Sequence, residues 1–313
     1  MKINLFADLK KELARNLRQL GCKVPANGSA EDLLESWFDY QMRRISPVPR
    51  QVFLAPQFEQ NRENLSTDEK GALKSIIGKL ERGDDVTAHL SRDILNAAKP
   101  DLLMADWRIY HIHISETKKT PKDFFFKRAD HLVFAIVTPT SVYLLNIYPH
   151  KEKDVWSKSE LLKIIKETWP ELLKPFHIVG RLEPNSAISE AERQKLRKAG
   201  INVPSALGDS IIFPLGGGVN AVGRPTSVSR RARGVYNNLS IIQMYLEEYP
   251  EVADGLAHDL GLRSDQLSIK LEWKGGNVYL REETSGKYLA VDMEIAKEGA
   301  AAVLRKERLG KGA

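Results

Sequence analysis

Apolar positions recur every three or four residues through "NLFADLKKELARNLRQL" (residues 4–20), the spacing of one face of an α-helix. "SAEDLLESWFDYQMRRI" (29–45) repeats the pattern behind a Ser cap, with acids in its first turn. "GCKVPANG" separates the two, so residues 1–47 read as an N-terminal helical hairpin closed by "SPVPR" (46–50). Beyond it the pattern changes. "RQVFLAPQF" (50–58) reads as a short strand, and "TDEKGALKSIIGKLERG" (67–83) as a helix with acids at its start and Gly83 past its end. "HLVFAIV" and "SVYLLNIYPH", joined by "TPT", have the length and β-branched content of a hairpin. "SKSELLKIIKETWPELL" reads as a helix stopping near Pro170.

"WRIYHIHIS" (107–115) reads as a strand opening this hairpin system. Alternation sends Trp107, Ile109, His111 and His113 to one side and Arg108, Tyr110, Ile112 and Ile114 to the other. Two of the chain's seven histidines thus share one strand face. Residues 50–178 form the central domain in this reading, an antiparallel sheet with helices, and 179–313 a C-terminal α+β domain. The latter holds a helix in "SEAERQKLRKAGI", a Gly- and Arg-rich loop over 213–234, and helical segments parted near Pro250. A three-stranded meander follows over 267–293, with turns at Gly276, Asn277 and Gly286, and then a basic tail, "LRKERLGKGA". The fold class is α+β.

Charge sharpens one part of this picture. A net charge of +6 over 313 residues is a modest surplus, but "KKTPKDFFFKR" (118–128) concentrates five cations and three phenylalanines against one acid. Cations for phosphate beside rings for bases suit single-stranded nucleic acid; a solvated loop lending its phenylalanines to the core fits the same residues. The lone Cys22 excludes an internal disulfide and a cysteine-based zinc site, and fits a reducing, cytoplasmic setting. The start lacks the pattern of a secretory signal, and the apolar runs are too short for a bilayer, so no membrane association is expected.

The central order of strand, helix and three antiparallel strands resembles the RelE/HigB superfamily of toxin ribonucleases. The likeness rests on Trp107-Arg108-Ile109 at the opening strand, Arg128 before the hairpin, and the ending His150, Lys151, Asp154, Val155 and Trp156. It covers about 130 residues. It implies a RelE-like central domain, metal-independent RNA cleavage, a role as toxin or stress effector, RNA (free or on ribosomes) as substrate, and an inhibitory protein as partner. The flanking regions would serve docking, oligomerisation or control.

Such cleavage needs a base for the ribose 2′-OH, an acid for the leaving 5′-oxygen, and cations for the phosphorane, and leaves a cyclic phosphate. His111 or His113 would be the base, His150 the acid, and Arg128 with Lys151 the phosphate clamp, needing no cofactor. Lys118, Lys119, Lys122, Lys127 and Trp156 would hold the strand. Three other readings stand beside this one. The same basic sheet could bind nucleic acid or protein without catalysis. His111 and His113 could share a zinc ion with His131 or His150. The 215–223 glycines could cradle an anion, although they match neither phosphate-loop spacing.

Overall fold

The computed structural model describes residues 2–179, 188–208, 210–291 and 304–305. In chain order the first elements are β1 (Lys2–Ile3), α1 (Leu5–Gln19), α2 (Ala30–Arg43), β2 (Gln51–Leu54), α3 (Pro56–Arg62), α4 (Thr67–Arg82) and α5 (Leu102–Trp107). Then come β3 (Ile109–His113), β4 (His131–Val137), β5 (Ser141–Pro149), α6 (Glu160–Thr168), β6 (His177–Val179), α7 (Glu190–Lys198), β7 (Ser205–Leu207) and β8 (Ser210–Ile212). The last are α8 (Thr226–Glu248), α9 (Pro250–Leu260), β9 (Ser268–Lys274), β10 (Asn277–Glu282), β11 (Tyr288–Val291) and β12 (Leu304–Arg305). The fold is mixed α+β, with three small, mostly antiparallel sheets among the described residues. No described helix is long and apolar enough to cross a membrane.

The chain divides into two compact units, residues 39–229 and residues 1–38 with 230–313. These divides differ from the expected 47–50 and 178–179: α2 and α8 each run through one.

In the 39–229 unit the main sheet has the order β2-β5-β4-β3, with β2 parallel to β5 and the rest antiparallel. α4 is fixed at both ends by local chemistry. Ser66 and Glu69 form a reciprocal capping box, and Gly83 takes the left-handed conformation (φ 79°) that ends it. Its buried face, Ala72, Leu73, Ile76 and Leu80, follows the helical period. α6 buries Leu161, Leu162, Ile164 and Ile165. β6, β8 and β7 form a separate antiparallel sheet that the hydrophobic pattern did not disclose, its strands being only three residues each.

Three sequence expectations are corrected here. Trp107 and Arg108 are not strand residues: Trp107 ends α5, and Arg108 is its left-handed cap (φ 56°). Asp101, accepting from the Met104 N–H, starts a short helix that leaves no room for the strand to begin earlier. Phe58 lies in α3, because Pro56 at the first helical position favours a helix start. The Arg-rich half of the 213–234 segment is helical, since α8 begins at Thr226 and carries Arg230, Arg231 and Arg233.

The glycine triplet serves packing. Gly216 and Gly218 donate N–H bonds to the carbonyls of Asp106 and Ala105, and a Cβ at Gly216 would collide with the Ala105 and Met104 carbonyl oxygens. The loop is laid against α5, with its N–H groups spent on protein.

In the other unit α1 buries Leu5, Leu9, Leu13 and Leu17, one residue per turn. Burying each such side chain contributes about 2 kcal/mol. Its sheet has the order β1-β9-β10-β11-β12, parallel only between β1 and β9. Gly275 and Gly276 turn the chain from β9 to β10, both at positive φ, while Asn277 already belongs to β10. Trp273 meets Trp37 edge-on at 5.9 Å. The meander's last residues, 292–293, and most of the basic tail, 306–313, lie outside the described residues.

Candidate active site

Register decides which side chains meet. β3 sets His111 opposite Phe134 and His113 opposite Leu132 on β4, and β4 sets Leu132 opposite Tyr148 on β5. Alternation puts all five on one face, and His150, two residues beyond Tyr148, arrives beside them. The His113 and His150 rings stack at 5.7 Å with 22° between their planes. The His111 ring lies 6.2 Å from His113 and meets Trp156 edge-on at 4.9 Å. Trp156 in turn stands 6.0 Å from His150. Three imidazoles and an indole therefore form one cluster.

The cluster is graded in depth. His113 is 6% exposed, and the His111 side chain 13%. His150 and Trp156 are half-buried. Burial pushes the His113 imidazole down to about 3, and the charges of His111, His150 and Arg128 act in the same direction. Burial also lowers His111, against the opposing pull of Asp101. Both rings are thus neutral at pH 7.

Behind His111 lies a polar network that the sequence reading missed. Asp101 turns Oδ1 to the Met104 N–H and brings Oδ2 to 3.4 Å from His111 Nδ1. Arg43 donates to Asp39 at 3.0 Å and to the Lys99 carbonyl at 3.1 Å. Burial raises Asp39 to about 6 even with Arg43 beside it. Arg43, Ser91, Asp101, Tyr110 and His111 border a cavity of only about 20 Å³, room for about one water. Two signals pointed to these residues: an Asp directly before "LLMADW", as a helix cap, and an Asp39/Arg43 pair at i, i+4 on the apolar face of α2.

The expected cations are all at the surface: Arg128, Lys151, Lys118, Lys119, Lys122 and Lys127 are exposed. Arg128 is close enough to His113 to depress its protonation. The phenylalanines of the basic loop divide. Phe125 is buried and Phe124 exposed at 59%, while Phe126 packs 4.6 Å from the buried His89. Phe125 and Phe126 thus lend their rings to the protein interior, and Phe124 alone of the three is exposed.

His131 does not join the cluster. It projects from the opposite face of β4, where its Nδ1 pairs with Glu69 of α4 at 2.7 Å. Among the described residues no group of three or more His, Cys, Asp or Glu side chains is arranged to hold a metal ion. A second cavity, of about 180 Å³, is bordered by Asp101 and Trp156 together with residues of α5 and α7. No family model, curated protein or solved structure matches this chain.

Proposed function

We propose that the 39–229 unit is a metal-independent endoribonuclease. The observation that carries this reading is the convergence of His111 and His113, from β3, and His150, from the end of β5, on one face beside Trp156. A neutral His111, with the Asp101 carboxylate 3.4 Å from its Nδ1, is suited to accept the 2′-OH proton. His150, half-buried at the rim, is suited to return a proton to the leaving oxygen. Arg128 and Lys151 supply positive charge at the surface. His113, with its ring held neutral in the interior, acts as a positioning residue under His150 rather than as a proton donor. This reading takes the four-stranded β2-β5-β4-β3 sheet as the counterpart of the RelE-like core that the sequence resemblance implies. On that analogy the protein acts in the cytoplasm and is restrained by an inhibitory partner.

A second reading has its own support. The burial of His113 and the one-water cavity at His111 favour a sheet that holds RNA without cutting it. End-labelled RNA incubated with the protein in excess EDTA separates the two. Catalysis predicts fragments ending in 2′,3′-cyclic phosphate, reduced about 10²- to 10⁴-fold by His150→Ala or His111→Ala. Intact RNA retained at low salt and released as salt rises would establish the binding module instead. Overexpression that arrests growth, relieved by the His111→Ala/His113→Ala double variant, adds the toxin role.

A further inference from the structure

The cavity of about 180 Å³ beside the imidazole cluster is bordered by Asp101, Leu102, Leu103, Trp156, Gln194, Arg197 and Lys198. An apolar cavity of about 150 Å³ accommodates benzene, so this one has room for a six-membered ring, and a purine fits it less readily than a pyrimidine.

Its walls are chemically distinct. Leu102, Leu103 and the Trp156 indole give apolar and π surface. Arg197 is only 4% exposed and is held in two directions, Nε donating to Asp106 at 2.6 Å and Nη1 to the Trp156 carbonyl at 2.5 Å. Its guanidinium lies 4.2 Å over the Trp107 ring. Its remaining nitrogen, Nη2, is buried without a hydrogen-bond partner among the described residues. A buried guanidinium nitrogen without an acceptor is costly, and it leaves the positive charge of Arg197 only partly compensated at a wall that this residue lines. Gln194, half-buried, adds an amide that both donates and accepts, and Lys198 stands exposed at the rim. Asp101 is already engaged by the Met104 N–H and faces His111, which ties this wall to the candidate catalytic side chains.

We infer that this cavity is a base-binding subsite for a pyrimidine nucleotide. The ring lies against Trp156, a ring carbonyl accepts from Gln194 with the Arg197 charge behind it, and the phosphate meets Lys198 at the mouth. The choice of a nucleotide rests on the RNA reading above; the ring size and the donor pattern do not. The subsite would make this protein select pyrimidines next to the cleaved bond, since Trp156 borders the cavity and also meets the imidazoles of His111 and His150.

Isothermal titration of the full chain with uridine 3′-monophosphate, adenosine 3′-monophosphate and benzoate tests this without requiring turnover. The expected result is saturable binding of the uridine nucleotide and at least tenfold weaker binding of the adenosine nucleotide. Gln194→Phe, which fills the cavity, should abolish uridine nucleotide binding. Lys198→Ala, an exposed change that leaves the core intact, should weaken it about fivefold. Arg197→Met probes the central charge, but it also strips Asp106 of its partner, so the Gln194 and Lys198 variants carry the test. Equal affinity for both nucleotides, binding of benzoate alone, or unaltered binding in Gln194→Phe overturns the assignment. Uridine nucleotide binding with no RNA cleavage would leave the subsite standing and remove the nuclease.

Discussion

Acid should destabilise this protein through its buried histidines, and the size of the effect follows from their positions. Burial takes His113 from 6.5 to about 3. Burial, with the charge of Lys79 adding to it, takes His89 from 6.5 to about 4. The unfolded chain therefore binds more protons than the native one between those values. The stabilising contribution is complete above pH 6.5 and is lost as pH falls toward 3–4. At pH 5 each histidine costs about 2 kcal/mol relative to pH 7.5. Asp39 works the other way: burial raises it from 3.8 to about 6, so the native state binds the extra proton between those values. It offsets about 1.4 kcal/mol at pH 5. These three groups together lose about 3 kcal/mol, equivalent to a urea midpoint lower by about 1 M for a slope of 2–3 kcal/mol/M, and His111, lowered by burial, acts in the same direction. Urea unfolding at pH 7.5 and pH 5.0, at equal ionic strength, measures this directly. In His113→Leu one titrating group is gone, and the loss should shrink to about 1 kcal/mol. A midpoint that stays constant or rises on acidification, or a His113→Leu protein with the full wild-type loss, refutes the account of buried neutral imidazoles.

Other substitutions probe separate parts of the fold. Asp106→Ala leaves the buried Arg197 guanidinium without its carboxylate and should cost about 3–5 kcal/mol by denaturant titration; a loss under 1 kcal/mol would mean that the pair is solvated. Gly216→Ala forces the loop off the Ala105 and Met104 carbonyls and should cost about 2 kcal/mol, read as a lower Tm; an unchanged Tm would show that the loop can move aside. Ser66→Ala removes the hydroxyl that caps α4 and should cost about 1 kcal/mol, with the Glu69 carboxylate then losing one of its three hydrogen bonds. If Lys118 and Lys119 contact phosphates, replacing both with Ala should lower the slope of log affinity against log salt by about 2, a change visible in filter binding of a labelled oligonucleotide.

The helices were legible because their signals are local. The leucine spacing of α1, the Ser66/Glu69 box and Gly83 around α4, and Pro250 at the start of α9 act within a turn or two, so residue order alone set them. The hairpin of β4 and β5 was equally clear, as a β-branched run on each side of a short turn. The pairing of His111 with His113 on one face followed from the two-residue period of a strand. What sequence could not supply was everything that depends on partners far along the chain. Asp101 shortens the opening strand by starting α5, because a carboxylate next to three free N–H groups favours a helical turn over continued extension. The depth of His113, and so its neutrality, comes from strands and rings contributed by residues 132–156. The glycine triplet reads as mobile in isolation, yet it closes on α5 because only residues without a Cβ can approach two carbonyls so nearly. Arg197 lies in the polar helix read from "SEAERQKLRKAGI"; tertiary packing buried it over Trp107, paired it with Asp106 ninety-one residues away, and left one nitrogen buried without a partner among the described residues. Local periodicity fixes which side chains share a face. Only long-range packing sets the dielectric around them, and that decides which of them carry charge.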